Sequence, residues 1–149
     1  MGWNKGRGKL GRFKPLLGSW QPRGDSAMGP LTCTRHFELI LNNKWLSLRA
    51  VWTYDDPKRD PYEEHCLIGA KDKTTLGFYS FISDGSHSEG ILTEATDVHP
   101  EALCFEAEMP HGRARQIYSA GADGALLWQV ERRVKAGWSP IVTHTYLPL

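Results

Sequence analysis

Apolar and polar residues alternate along most of this chain from residue 18 onward. In the segment 31–41, the odd-numbered residues are apolar except for Arg35, and the even-numbered residues are polar except for Ile40. The segment 45–54 repeats the pattern, and Asn42-Asn43 between the two favours a tight turn with positive φ. A period of two is typical of a strand that buries one face. The two segments therefore predict a β-hairpin.

Turn-forming residues divide the rest of the chain into similar segments. The ten predicted strands are residues 18–23, 31–41, 45–54, 62–70, 76–82, 88–95, 102–109, 114–120, 125–134 and 141–147. A helical pattern occurs only in residues 10–17, where Gly11 and Pro15 limit it to a turn or two. Strands joined by short turns predict an antiparallel up-and-down meander, which removes its exposed edges by closing into a barrel. We therefore expect an all-β barrel with a short N-terminal helical lid.

The length of 149 residues is enough for one domain with a substantial core. No apolar run reaches the length of a membrane helix, and the basic N-terminus lacks the apolar segment of a secretory signal. We therefore expect a cytoplasmic protein with no membrane partner. The odd number and wide spacing of the cysteines predict reduced, buried thiols at Cys33, Cys66 and Cys104.

The net charge of +1 hides an asymmetry between the N-terminus and the rest of the chain. Residues 1–14 carry five basic residues and no acid, whereas the remainder has 13 basic and 17 acidic residues, a net of −4. A basic, glycine-rich segment is typical of a flexible solubilising arm, and binding to nucleic acid is the less favoured use of it. The predicted organisation is an arm over residues 1–14 and a barrel domain over residues 15–149.

Aromatic residues are frequent, with six Trp, five Tyr and five Phe. A barrel interior of aromatic rings with isolated polar groups can bind a small ligand, although such rings can also simply fill the core. Arg35, Arg49 and Arg132 interrupt apolar faces, so an inward arginine could bind a carboxylate through two N–H donors. Pairing with a structural acid, or exposure to solvent, is the alternative. The candidate ligand-binding residues are Trp20, Arg35, Arg49, Trp52, Phe81, Tyr118, Trp128, Arg132, His144 and Tyr146.

Two short motifs resemble known barrel families. Gly18-Ser19-Trp20 resembles the Gly-x-Trp of the first strand in lipocalin, fatty-acid-binding and nitrobindin-like barrels, which implies a lipocalin-like (calycin) fold. The segment 140–144 resembles the last strand of nitrobindin-like haem proteins, whose histidine binds iron. That resemblance implies that haem could be a cofactor, with His144 as the metal ligand.

A second resemblance covers most of residues 16–147. The segments 39–46, 81–85 and 137–146 resemble a family of uncharacterised bacterial lipocalin-like domains, whose function is unknown. This resemblance supports the fold and leaves the ligand open.

The leading functional hypothesis is a protein without enzymatic activity that binds a small hydrophobic or amphipathic ligand inside a β-barrel cavity. A haem protein is one alternative. A catalytic barrel, with Glu106 or His144 as general acid and base, is another, although no acid and base occur at a telling spacing. A scaffold or homodimer-forming domain is a third. No nucleophile elbow or zinc-hydrolase motif is present in the chain.

Overall fold

The computed structural model describes residues 3–22 and 31–149. These residues form a single closed, antiparallel, up-and-down barrel, in which each strand pairs with its neighbours in sequence and the first pairs with the last. The all-β prediction is confirmed. The strands are β1 (Gly18–Pro22), β2 (Leu31–Ile40), β3 (Trp45–Tyr54), β4 (Tyr62–Ala70), β5 (Leu76–Ile82), β6 (His87–Thr93), β7 (Leu103–Met109), β8 (Gly112–Ala120), β9 (Leu126–Val134) and β10 (Gly137–Pro148).

The predicted bounds of β3, β4 and β5 match the structure, whereas β10 begins at Gly137 rather than at residue 141. Proline lacks an N–H group and cannot donate to a sheet ladder. The strand pairing shifts register between Pro140 and Val142. At such an irregularity the sheet does not require the N–H donor that proline lacks. The end of the first predicted strand and the loop after it, residues 23–30, lie outside the described residues.

The turn between β2 and β3 has the predicted conformation. Leu41, Asn42 and Asn43 have φ values of 51°, 57° and 59°, and the backbone N–H of Lys44 donates to the Leu41 carbonyl at 3.2 Å. Asparagine tolerates this left-handed region better than most residues. The β2–β3 hairpin is therefore encoded locally.

The predicted helical lid is a 3-10 helix, Gly11–Leu16, which covers one end of the barrel. Phe13 and Leu16 are fully buried, and the Phe13 ring stacks on Phe105 with the ring centroids 6.0 Å apart. The indole Nε1 of Trp20 donates to the Leu16 carbonyl at 2.8 Å. These contacts tie the lid to the barrel core. Flexibility of the preceding arm stays a prediction, although Trp3 and Leu10 pack against the core.

The connection between β6 and β7 covers part of the outer barrel wall. Ala95 on this connection packs with Cys104 and Ile117 on the outer face, and Asp97 accepts two hydrogen bonds from Arg115, at 2.7 and 3.1 Å. All three cysteines of the chain are free and buried, as predicted. Among residues 3–22 and 31–149, no helix is long and apolar enough to cross a membrane.

Candidate functional site

Six of the predicted ligand residues meet in the barrel interior. The guanidinium carbon of Arg35 on β2 lies 4.1 Å from the centre of the Trp128 ring. It lies between 5.7 and 5.9 Å from the ring centres of Tyr146, Tyr118 and Trp52. We refer to the rings of Trp52, Tyr118, Trp128 and Tyr146 as the Arg35 cage. Ring faces attract a cation, so the cage partly replaces the water that Arg35 loses on burial.

The hydrogen bonds of Arg35 go to phenol oxygens of the cage. Its Nη1 donates to the Tyr118 hydroxyl at 2.8 Å, and its Nε donates to the Tyr146 hydroxyl at 3.4 Å. Burial raises the pKa of both tyrosines well above the ordinary value, so both phenols stay neutral. Burial by itself would lower the pKa of Arg35, but the polar groups around it, Tyr118, Cys33 and Tyr146 together with the carboxylate of Glu64, hold it above its ordinary value. Arg35 is therefore charged and bonded to neutral partners.

His144 on β10 lies beside the Arg35 cage. Its imidazole is 5% exposed, and its ring centre lies 5.4 Å from that of Trp128, 6.0 Å from Trp52 and 6.2 Å from Tyr146. Its Nδ1 is buried and has no hydrogen-bond partner among the described residues. Burial, and then the charge of Arg35, lower the pKa of His144 below its ordinary value. The imidazole is therefore neutral at physiological pH.

A neutral imidazole has the chemistry of an iron ligand, but the space around His144 does not fit haem. The rings of Trp52, Trp128 and Tyr146 pack around the imidazole, with ring centres 5.4 to 6.2 Å from its own. A macrocycle would have to displace at least one of these rings.

Three other predicted ligand residues lie outside the cage and do not contribute to it. Arg49 is exposed on the outer face of β3, because Leu48 and Ala50 on either side of it point inward. Phe81 is 53% exposed, because its neighbour Ser80 takes the inward position on β5. Arg132 is exposed near the end of β9. Trp20 is buried in the interior and is a Cα partner of Arg35.

The acid and base of the catalytic alternative do not converge. Glu106 lies on the outer side of β7, since its neighbours Phe105 and Ala107 are buried, and it accepts a hydrogen bond from Arg113 Nε at 2.8 Å. His144 lies in the interior. Of the two residues named for the catalytic alternative, His144 therefore faces the interior and Glu106 does not, which corrects the inward placement of Glu106.

A cavity lies at the lid end of the barrel. This end groove has a volume of about 770 Å³ and lies between the N-terminal segment, the β2–β3 turn and the facing ends of β4 and β5. Its apolar lining residues are Leu10, Phe13, Leu17, Leu39, Trp45, Ala70 and Leu76. Its charged lining residues are Arg7, Lys9, Lys14 and Lys44, and no acidic residue is among the described ones that line it.

Backbone packing of the N-terminal segment forms one wall of the end groove. The N–H of Gly6 donates to the Gly11 carbonyl at 2.7 Å, which folds residues 6–11 into a loop. A Cβ atom at Gly11 would collide with the Gly6 backbone, so this loop requires glycine. This role is not among those predicted from the sequence. The signal that could have revealed it is the apolar set Leu10, Phe13 and Leu17 among the basic residues.

A second cavity of about 710 Å³ lies where β6 and β7 diverge. These strands pair only at Ile91 with Glu106, Leu92 with Phe105 and Thr93 with Cys104. The cavity opens beside the unpaired half, next to Phe81 and Arg113. A third cavity, of about 130 Å³, lies between the N-terminal segment and residues 92–103.

Within the described ranges, no group of three or more His, Cys, Asp or Glu side chains is placed to hold a metal ion. Comparison with known protein families finds none that matches this chain, and a search of curated proteins finds no match either.

Proposed function

We propose that the protein binds a small amphipathic anion, such as a medium-chain carboxylate, in the end groove. The observation that carries this proposal is the combination of an apolar wall with a rim of basic residues and no described acid. A volume of about 770 Å³ falls within the range of ligand pockets. The ligand class is the one expected from the sequence. The proposed site differs, because it lies at the end of the barrel and not in the interior.

The lining residues divide the groove into two regions that suit the two parts of such a ligand. Leu17, Trp45 and Leu76 offer apolar contact to a hydrocarbon chain. Lys14 and Lys44 carry ammonium groups that donate charge-assisted hydrogen bonds to a carboxylate. Because both lysines are exposed, salt screens their attraction, and affinity should fall as ionic strength rises.

Reversing the charge of two groove lysines is expected to weaken binding of an anionic ligand. In the double variant Lys14→Glu and Lys44→Glu, we expect dodecanoate to bind about tenfold more weakly, because two attractive charges become repulsive. Isothermal titration calorimetry measures this change. Dodecanol, which has the same chain and no charge, should bind the wild type and the variant alike.

The matched control is Lys58→Glu with Lys135→Glu, which changes the charge equally at exposed sites away from the groove. This control should bind dodecanoate much as the wild type does. If the wild type binds no dodecanoate, or if the control loses as much affinity as the groove variant, the end groove is not the site.

Haem at His144 is the alternative implied by the resemblance of residues 140–144, and the aromatic rings that pack around the imidazole oppose it. Because aromatic rings pack around His144, we expect haemin to give no shifted Soret band with the purified protein. The measurement is an absorption titration of the wild type beside His144→Ala. A Soret shift in the wild type that His144→Ala abolishes would contradict this expectation and establish the haem alternative.

A cytoplasmic location and a homodimer are further proposals. Three free thiols support a reducing compartment. Exposed apolar side chains on β6 and β7, Ile91 and Met109, support self-association. Elution volume in size-exclusion chromatography, compared between wild type and Ile91→Ser with Met109→Ser, tests the dimer.

A further inference from the structure

We propose that the barrel interior contains a second site, which binds a small carboxylate between Arg35 and His144. Arg35 is 2% exposed, and the two oxygen atoms that accept its hydrogen bonds belong to the phenols of Tyr118 and Tyr146, not to a carboxylate. An anion of formate or acetate size would supply the missing negative charge. This site is separate from the end groove and does not depend on it, because no Arg35 cage residue lines the groove.

An anion is expected beside Arg35 because an uncompensated buried charge is energetically unfavourable. Transferring a charged side chain out of water is strongly unfavourable unless a counter-charge or several hydrogen bonds replace the water. The Arg35 cage provides ring faces and two phenol oxygens, which compensate only part of that loss. The hydrogen bonds to the two phenols start from Nε and Nη1, and none of the partners of the guanidinium in the described residues is a carboxylate.

The nearest interior acid has another partner. Arg35 on β2 pairs with Ala50 on β3, and Ala50 pairs in turn with Glu64 on β4. Glu64 and Arg35 therefore face the same side of the sheet but are two strands apart. The Glu64 carboxylate accepts a hydrogen bond from the Ser80 hydroxyl at 2.5 Å. Two strand spacings, about 10 Å, separate the backbones of Glu64 and Arg35. Glu64 therefore acts on Arg35 from a distance and leaves its N–H donors without a direct carboxylate.

His144 supplies the second, independent observation. It is 95% buried, given its exposed fraction of 5%, and its Nδ1 has no partner among the described residues. A buried polar atom without a hydrogen bond is rare in native proteins and calls for an explanation. Trp52, Trp128 and Tyr146 flank both Arg35 and His144, so the two groups lie in the same part of the interior.

A small carboxylate matches the donors that these two residues offer. A guanidinium binds a planar oxyanion through parallel N–H donors, and a neutral imidazole in the Nδ1–H tautomer donates one further hydrogen bond. Ala50, the Cα partner of Arg35 on β3, contributes only a methyl group to the interior beside the guanidinium. A small anion needs far less room than a macrocycle, so the packed rings that oppose haem do not oppose formate.

The test compares thermal unfolding in sodium formate with unfolding in sodium chloride at equal ionic strength. A ligand that binds only the folded state raises Tm in a concentration-dependent way. We expect formate to raise the Tm of the wild type by several degrees more than chloride does. Arg35→Met should lose this formate-specific increase, whereas the matched control Arg132→Met, at an exposed arginine, should keep it. The groove variant Lys14→Glu with Lys44→Glu should also keep it.

A measurement on the wild type covers the case in which Arg35→Met does not fold. In ¹⁵N-edited spectra, formate should shift the Nε–H signal of Arg35 and the ring nitrogen signals of His144. An unchanged Tm and unchanged signals in formate would overturn the proposal and show that the Arg35 cage alone stabilises the charge. An equal formate effect in Arg35→Met would overturn it as well. Failure of dodecanoate binding, by contrast, would affect only the end groove.

Discussion

Gly90→Ala is expected to lower the free energy of unfolding by about 3 kcal/mol or more, the upper range for adding volume to a packed site. Gly90 lies on β6 at the point where this strand meets β7. A Cβ atom there would collide with the Glu106 carbonyl and approach the Phe78 ring at 2.6 Å. The carbonyl belongs to the backbone of the next strand, so it cannot move without separating the two strands. Urea unfolding followed by circular dichroism measures the loss.

Gly121→Ala is the control for this substitution. A Cβ at Gly121 would meet Ala125 Cβ at 3.2 Å and Leu127 Cγ at 3.3 Å, so small side-chain shifts are enough to accommodate it. We expect a loss of less than about 1 kcal/mol for this variant. Equal losses in the two variants would show that the close approach of β6 and β7 is not what makes Gly90 necessary.

Trp128→Ala is the second large effect, with an expected loss of about 3–5 kcal/mol in the free energy of unfolding. The Trp128 indole is 4% exposed and lies closest to the Arg35 guanidinium of all the cage rings, at 4.1 Å. It also contacts the rings of Trp52, His144 and Tyr146, and its Nε1 donates to Gln116 Oε1 at 3.1 Å. Removing the indole leaves a cavity and exposes one face of a buried cation.

Phe81→Ala is the matched control, because Phe81 is also an aromatic residue in a central strand but lies on the outer face. We expect this variant to lose less than about 1 kcal/mol. Chemical denaturation of both variants at one pH gives the comparison. If Trp128→Ala were no more destabilising than Phe81→Ala, the Arg35 cage would not be part of the stabilising core.

The alternation of apolar and polar residues predicted the barrel, because strand formation depends on local periodicity. Asn42 and Asn43 marked the first hairpin turn for the same reason, since their left-handed conformation is a property of the residues themselves. The period of two also placed Arg49 opposite Leu48 and Ala50, so its outward position on β3 could have been read from the sequence.

The direction of the β5 side chains was harder to predict. The segment Phe78-Tyr79-Ser80-Phe81 is apolar on both faces except for one serine, so its periodicity does not select the inward face. Pairing with β4 places Ser80 beside Cys66 in the interior and turns Phe81 outward. Burial of a polar hydroxyl there depends on its bond to Glu64, which lies on another strand.

Only the tertiary structure determined the two candidate sites. The end groove combines residues 6–17, the β2–β3 turn and the ends of β4 and β5, and it exists because the N-terminal segment packs against the rim of the barrel. The interior site combines Arg35 on β2 with the cage rings from β3, β8, β9 and β10. Local periodicity shows which residues share a face of one strand. Closure of the barrel decides which faces meet across it, because that depends on contacts between residues far apart in the chain.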